Sequence, residues 1–186
     1  MIRSILFGGA LLFATLMPAR AAEWKMDQAA SRLEFVASYE RTAAPGVFRK
    51  FDTRLRFDPD QPESGSLEVT VAVASADMRN ADINEAIAGV QWFDFARYPQ
   101  ATFRATEIRR ADPDRYLARG TLTLKGVQQA IEVPFSWSQD AGAARMRGEL
   151  VVGRAAFGIG TGEWATANVI GPDVTIRFDV RFRKND

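Results

Sequence analysis

The side chains of this chain that could do chemistry are few in kind. Carboxylates occur in spaced pairs, Asp58 with Asp60 and Asp112 with Asp114, and as a looser group of Asp77, Asp82, Glu85 and Asp94. Two neighbouring carboxylates can divide the roles of general acid and general base. The first two pairs flank Pro59 and Pro113, where proline presets φ and Asp side chains bond the local backbone, so they read as turn formers. Asp82 and Glu85 read as helix-capping groups, and Asp94, flanked by aromatics, as an acceptor for nearby backbone N–H groups. The run Gly158-Ile159-Gly160-Thr161-Gly162-Glu163-Trp164 invites a nucleotide reading. A dinucleotide fingerprint, however, needs glycine where Glu163 stands, and a βαβ setting that is missing. An irregular loop with left-handed glycines is the simpler account. Twenty arginines against four lysines suggest anion binding, yet most fall on the polar phase of strands. Arg97, beside an aromatic cluster, is the candidate head-group contact, and Trp164 a candidate for the rim of a cavity mouth.

The absences decide more. With no histidine and no cysteine, a Ser-His-Asp triad, a Cys-His pair, a His-ligated metal site and a His-held haem are all excluded within this chain. No cofactor and no metal are expected. The N-terminus carries Arg3, an apolar run from Ile5 to Met17, and Ala19-Arg20-Ala21 with small residues at both positions a signal peptidase reads. Residues 1–21 are thus expected to be a secretory signal peptide, leaving 22–186 as one mature domain in an oxidising compartment. Without Arg3 and Arg20 the balance is 22 basic against 23 acidic side chains, so charge gives no argument for nucleic acid.

The elements that must position these residues are strands. Apolar residues alternate with polar ones at Leu33 to Tyr39, Leu55 and Phe57, Leu67 to Val73, Ala101 to Ala105, Tyr116 to Leu124, Ile131 to Trp137, Met146 to Val152 and Val174 to Phe182, each with one dry face. Residues 42–46 read as a loop, and Pro134, unable to donate a ladder bond, as an edge position or bulge. Between Asn80 and Val90 the period changes. Ile83, Ile87 and Val90 fall on one helix face, Asn80 or Asp82 can cap it with Glu85, and Gly89 can end it left-handed. An aromatic knot from Trp92 to Phe103 follows.

About eight strands with short turns imply an all-β, antiparallel fold, and one short helix cannot cover so many dry faces, so the sheet closes as a barrel. Such a barrel is either filled by side chains or holds one small ligand. Small inward residues, Ala37, Ala101, Ala105, Ala118, Gly120 and Gly148, would leave volume for an elongated hydrocarbon; the alternative is that they match bulky partners across a dry core. The expected wall comprises Phe35, Val71, Val73, Phe103, Leu122, Leu124, Ile131, Val133, Phe135, Ile176 and Phe178. Phe93, Phe95 and Tyr98 are further expected lipid-binding residues, and the helix with the aromatic knot would serve as a lid.

Asp82, Trp92-Phe93-Asp94, Tyr98-Pro99, Ala101-Thr102-Phe103, Gly120-Thr121-Leu122-Thr123-Leu124-Lys125-Gly126-Val127 and Phe157-Gly158, in that order, resemble the signature of the YceI-like family. The likeness runs from Trp24 to Phe182. It implies an extended, lipocalin-like antiparallel barrel in the periplasm that binds a polyisoprenoid, such as the tail of an isoprenoid quinone or a polyprenyl phosphate, and performs no catalysis. The chain departs from the commoner pattern in having no histidine before Gly46-Val47-Phe48, Thr121 where an acid is usual and Gln128 where Thr is common, which bears on head-group contacts. The glycine loop is similar to a branch that includes domains fused to membrane cytochromes of the b561 type, so such a cytochrome is a candidate partner. A homodimer stays open. The rival readings are an enzyme acting on an apolar substrate and a solid barrel that docks a partner.

Overall fold

The structure, a computed structural model, describes residues 21–166 and 168–185; of the expected signal peptide only Ala21 is among them. Strands β1 to β4 run Ala22–Met26, Arg32–Tyr39, Thr42–Phe48 and Phe51–Phe57; β5 and β6 are Ser66–Ala72 and Ala76–Asp77; helix α1 is Ala81–Ala88. Then come β7 (Gln100–Asp112), β8 (Arg115–Leu124), β9 (Val127–Asp140), β10 (Ala143–Gly153) and β11 (Asp173–Lys184). The order β1-β4-β5-β7-β8-β9-β10-β11 closes through a β11–β1 pairing, so eight antiparallel strands form a barrel.

The remaining strands extend one end of it. β11 pairs with β1 through Phe182–Lys184 and with β2 through Thr175–Asp179, so β1 and β2 share one edge, interrupted at residues 27–31. In the same way β4 pairs with β5 while β3 pairs with β6. Serine hydroxyls occupy the breaks. Ser31 Oγ donates to Asp27 O at 2.7 Å and accepts from Arg181 N at 3.0 Å, and Ser75 Oγ donates to Ala72 O at 2.6 Å and accepts from Lys50 N at 3.0 Å, so each hydroxyl pairs one local carbonyl and one backbone N–H from a distant strand or turn. The stretch expected as a loop, 42–46, is therefore strand: Glu40 and Arg41, at φ 47° and 65°, make a tight hairpin turn of the twist that favours strand pairing.

Helix α1 is capped by Asn80, whose Oδ1 accepts from Ile83 N at 3.1 Å. Asp82 lies inside the first turn, so no capping box with Glu85 forms. Gly89 ends the helix in extended geometry, φ −71° and ψ 168°, not left-handed. Of the expected apolar face only Ile87 is buried; Ile83 sits in the exposed first turn and Val90 lies past the helix end.

Packing divides the interior in two. At the end bearing the β4–β5, β7–β8 and β9–β10 turns, Trp24, Phe57, Tyr116, Phe135, Trp137 and Phe182 form a solid aromatic plug. Phe57 is fully buried and meets Tyr116 and Trp137 edge-on, with centroids 5.0 and 5.1 Å apart, the geometry that aromatic quadrupoles favour. Trp24 Nε1 donates to Phe57 O at 3.0 Å, so its buried N–H is satisfied. At the other end a smaller cluster of Phe35, Ala76 and Ile87 gathers Phe48, Met78, Trp92, Phe93 and Phe95.

Candidate functional site, an apolar cavity above an aromatic plug

Between plug and upper cluster lies a cavity of about 230 Å³. Eleven of the expected residues line it: Phe35 from β2; Val71 and Val73 from β5 and the turn after it; Phe93 from the knot; Phe103 from β7; Leu122 and Leu124 from β8; Ile131 and Val133 from β9; Ile176 and Phe178 from β11. Strand register brings them together, since Val69 pairs with Phe103 and Phe103 with Leu122, all on one face.

Five expected residues lie elsewhere. Phe135 belongs to the plug, stacked on Tyr116 at 5.4 Å, because it sits one inward step further along β9 than Val133. Phe95 stacks on Phe93 at 6.0 Å and backs the lid without reaching the cavity. Tyr98 covers the β8–β9 turn: a Cβ at Gly126 would lie 2.7 Å from its ring. Arg97 is exposed and spreads over the Tyr98 ring at 5.3 Å, and Trp164 packs against Trp92 at 5.7 Å.

The wall also holds residues the pattern did not single out. Leu67, Val69, Leu150, Val152, Val174 and Val180 share the inward phase of strands already read, so their alternation was a sufficient signal. Ile87, Trp92, Phe157, Ile159 and Ile170 come from the helix, the knot and the loop after β10, where no period marks a facing direction. Small residues contribute less than expected. Ala37 and Ala101 line the cavity, whereas Ala118 is fully buried in the plug. Gly120 and Gly148 serve close approaches: a Cβ there would lie 2.1 Å from Arg104 O and 2.3 Å from Pro134 O respectively.

Among the described residues, only two polar ones, Thr53 and Arg154, face this otherwise hydrocarbon wall, and none is a carboxylate. Arg154 is 5 % exposed. Its Nε donates to Gly171 O, Nη1 to Ile159 O and Gly160 O, and Nη2 to Trp164 O and Ile170 O, at 2.7 to 3.1 Å. All five N–H groups of the guanidinium are thus engaged. Burial pushes its pKa down from the ordinary value, and the ring of carbonyl dipoles compensates the charge in place of a carboxylate. Arg154 therefore folds the mouth loop and has no donor left for a ligand.

The lid is tied down from two sides. Lys125 Nζ donates to Val90 O at 2.8 Å and Gly158 O at 2.7 Å, with its pKa lowered by burial and partly restored by Asp94. Gln91 O accepts from Gly160 N at 2.8 Å and Thr161 N at 3.0 Å. Gly158, Gly160 and Gly162 have φ of 63°, 71° and 65°, left-handed values that suit glycine. Asp94 is itself left-handed, φ 50°, and the N–H groups of Arg97 and Tyr98 go to its backbone carbonyl, not to its carboxylate as expected.

The YceI-like domain family matches residues 24–182. A UPF0312 protein of Yersinia pestis is 32% identical over 137 residues, covering 70% of each chain. One of Photorhabdus laumondii is 31% identical over 86 residues, a match spanning 44% of that relative. Among solved structures, Burkholderia cenocepacia BcnA superposes with a TM-score of 0.82 at 35% identity, covering 84% of this chain and 98% of BcnA. A polyisoprenoid binding domain from Saccharophagus degradans, implicated in plant cell wall breakdown, shares the fold at TM-score 0.71 and 17% identity, covering 88% and 99%. The chain belongs to the YceI-like domain family.

Proposed function

We propose that the protein is a periplasmic carrier that sequesters a long isoprenoid lipid, a polyprenyl chain or the tail of an isoprenoid quinone, and does no chemistry on it. The observation that carries this reading is the composition of the wall: hydrocarbon apart from Thr53 and Arg154, the arginine being fully engaged by backbone carbonyls. Such a wall binds by removing methylene and methyl groups from water, about 0.8 kcal/mol per CH₂, offset by ordering a flexible tail. A barrel of the same fold from Saccharophagus degradans is described as polyisoprenoid binding, which supports the ligand class. The plug favours entry of the tail alone, leaving the head group at the mouth near Arg97 and Trp164.

The periplasmic address rests on the N-terminal sequence, with its basic start, apolar run and Ala19-Arg20-Ala21. A ligand this insoluble requires a membrane donor and acceptor, for which a cytochrome of the b561 type is one candidate. The test is to purify the mature protein from its own periplasm, extract it with organic solvent and identify co-eluting lipid by mass spectrometry. A stoichiometric isoprenoid supports the reading; repeated extractions without one contradict it.

A further inference from the structure

The cavity has two places where the barrel wall is not laced by strand pairing, and they differ in how they are closed. One is the lid side, where the chain between Gly89 and Pro99 is held by Lys125, by two backbone bonds to Gln91 O, and by Val73 N donating to Pro99 O at 3.1 Å. The other is a seam between β9 and β10. Their ladder runs from Ala143–Asp140 to Arg147–Ser136 and stops, although β9 reaches back to Val127 and β10 continues to Gly153. The cause is local: Pro134 has no N–H to donate, and its carbonyl presses on Gly148 so closely that a Cβ would not fit.

Beyond that point no residues of the two strands are paired among the described residues. The seam is bridged by the side chain of Gln129, whose Nε2 donates to Ala156 O at a long 3.4 Å. Cavity-lining residues stand on both sides of it, Ile131 and Val133 on β9, Leu150 and Val152 on β10. Outside, Val151 is 62% exposed, a bare apolar residue beside the gap.

Resting on the carrier reading above, we propose that the β9–β10 seam is the portal through which the hydrocarbon tail enters sideways, with Gln129 as its latch and Pro134 as the residue that keeps it unlaced. Opening it breaks the one long Gln129 hydrogen bond and some apolar contact, whereas lifting the lid breaks several short bonds. A lateral slot also admits a long chain along its length, with no need to thread it end-on past Trp92 and Phe93.

The chain has no cysteine, so a cross-link is readily placed. Glu132→Cys with Val151→Cys puts thiols on the outer face at positions that would pair if the ladder continued. Joined by a short bis-maleimide, the protein should take up a long-chain polyprenol from phosphatidylcholine vesicles on the order of tenfold more slowly than the same variant left unlinked. Gln129→Ala, which needs no cross-link, should load several-fold faster than the parent. Equal rates in linked and unlinked protein, or acceleration by Lys125→Met with none by Gln129→Ala, would overturn the portal and leave the carrier reading standing. If no form binds the polyprenol at equilibrium, the carrier reading itself falls, and the portal with it.

Discussion

Arg154 and Gly160 occupy each other's space: Nη1 of the arginine donates to the glycine carbonyl at 2.8 Å, and a Cβ on the glycine would lie 2.2 Å from that same nitrogen. The mouth loop therefore depends on a buried cation and on the lack of a side chain opposite it. Arg154→Lys retains charge but cannot serve five carbonyls with three donors. We expect it to cost roughly 2–4 kcal/mol in denaturant unfolding, since several buried carbonyls lose their partners. Gly160→Ala should destabilise the protein as well, because its φ of 71° disfavours a side chain and the added Cβ would collide with the guanidinium. A variant of either kind with unchanged unfolding would refute this account of the loop.

The cavity and the plug should separate by mutation. Phe135→Ala empties a fully packed site and is expected to cost about 3–5 kcal/mol, with modest effect on ligand affinity. Val71→Trp adds bulk where the wall faces empty volume. It should lower affinity for a polyprenol by roughly tenfold or more while costing about 1–3 kcal/mol at most. Urea unfolding and equilibrium titration of the two variants check the pair, and a reversed pattern would place the free volume in the wrong half.

Asp77 supplies a pH dependence. Its carboxylate accepts from Asn84 Nδ2 at 3.0 Å, Arg79 N at 2.8 Å and Arg49 Nε at 2.9 Å, which lowers its pKa from 3.8 to about 2, the Asn84 bond contributing most. A depressed folded pKa stabilises the protein fully above the ordinary value and loses that contribution as pH falls through the folded one. The difference in melting temperature between parent and Asp77→Asn should thus hold steady down to about pH 5 and shrink toward pH 2. A difference that stays constant to pH 2 would show that the bonds to Asn84, Arg79 and Arg49 do not depend on charge.

What was legible in the sequence follows from period. Where strands alternate cleanly, as in β8 with Tyr116, Ala118, Gly120, Leu122 and Leu124, inward phase was read correctly, and with it most of the wall. Depth along a strand was not legible. Phe135 and Val133 have the same phase and differ only in which layer of the barrel they enter, which depends on register with neighbours far away in sequence. Strand breaks were missed because they are made by serine hydroxyls at Ser31 and Ser75, residues that equally mark ordinary turns. Arg154 was hidden by its type, since a buried arginine satisfied by backbone alone looks from sequence like any surface arginine. Pro134 was legible as a break in pairing; that it opens a seam beside the cavity required the register of β10.

The central claim is that the half of the barrel between the plug and the lid is free to hold hydrocarbon. Its most direct test is a crystal structure of delipidated protein after soaking with a long-chain polyprenol. The account predicts continuous tubular density between Phe93 and Leu67, flanked by Leu122, Phe103 and Ile176, and ending above Phe57. Density confined to the outer surface, with wall side chains collapsed together across that space, would contradict it.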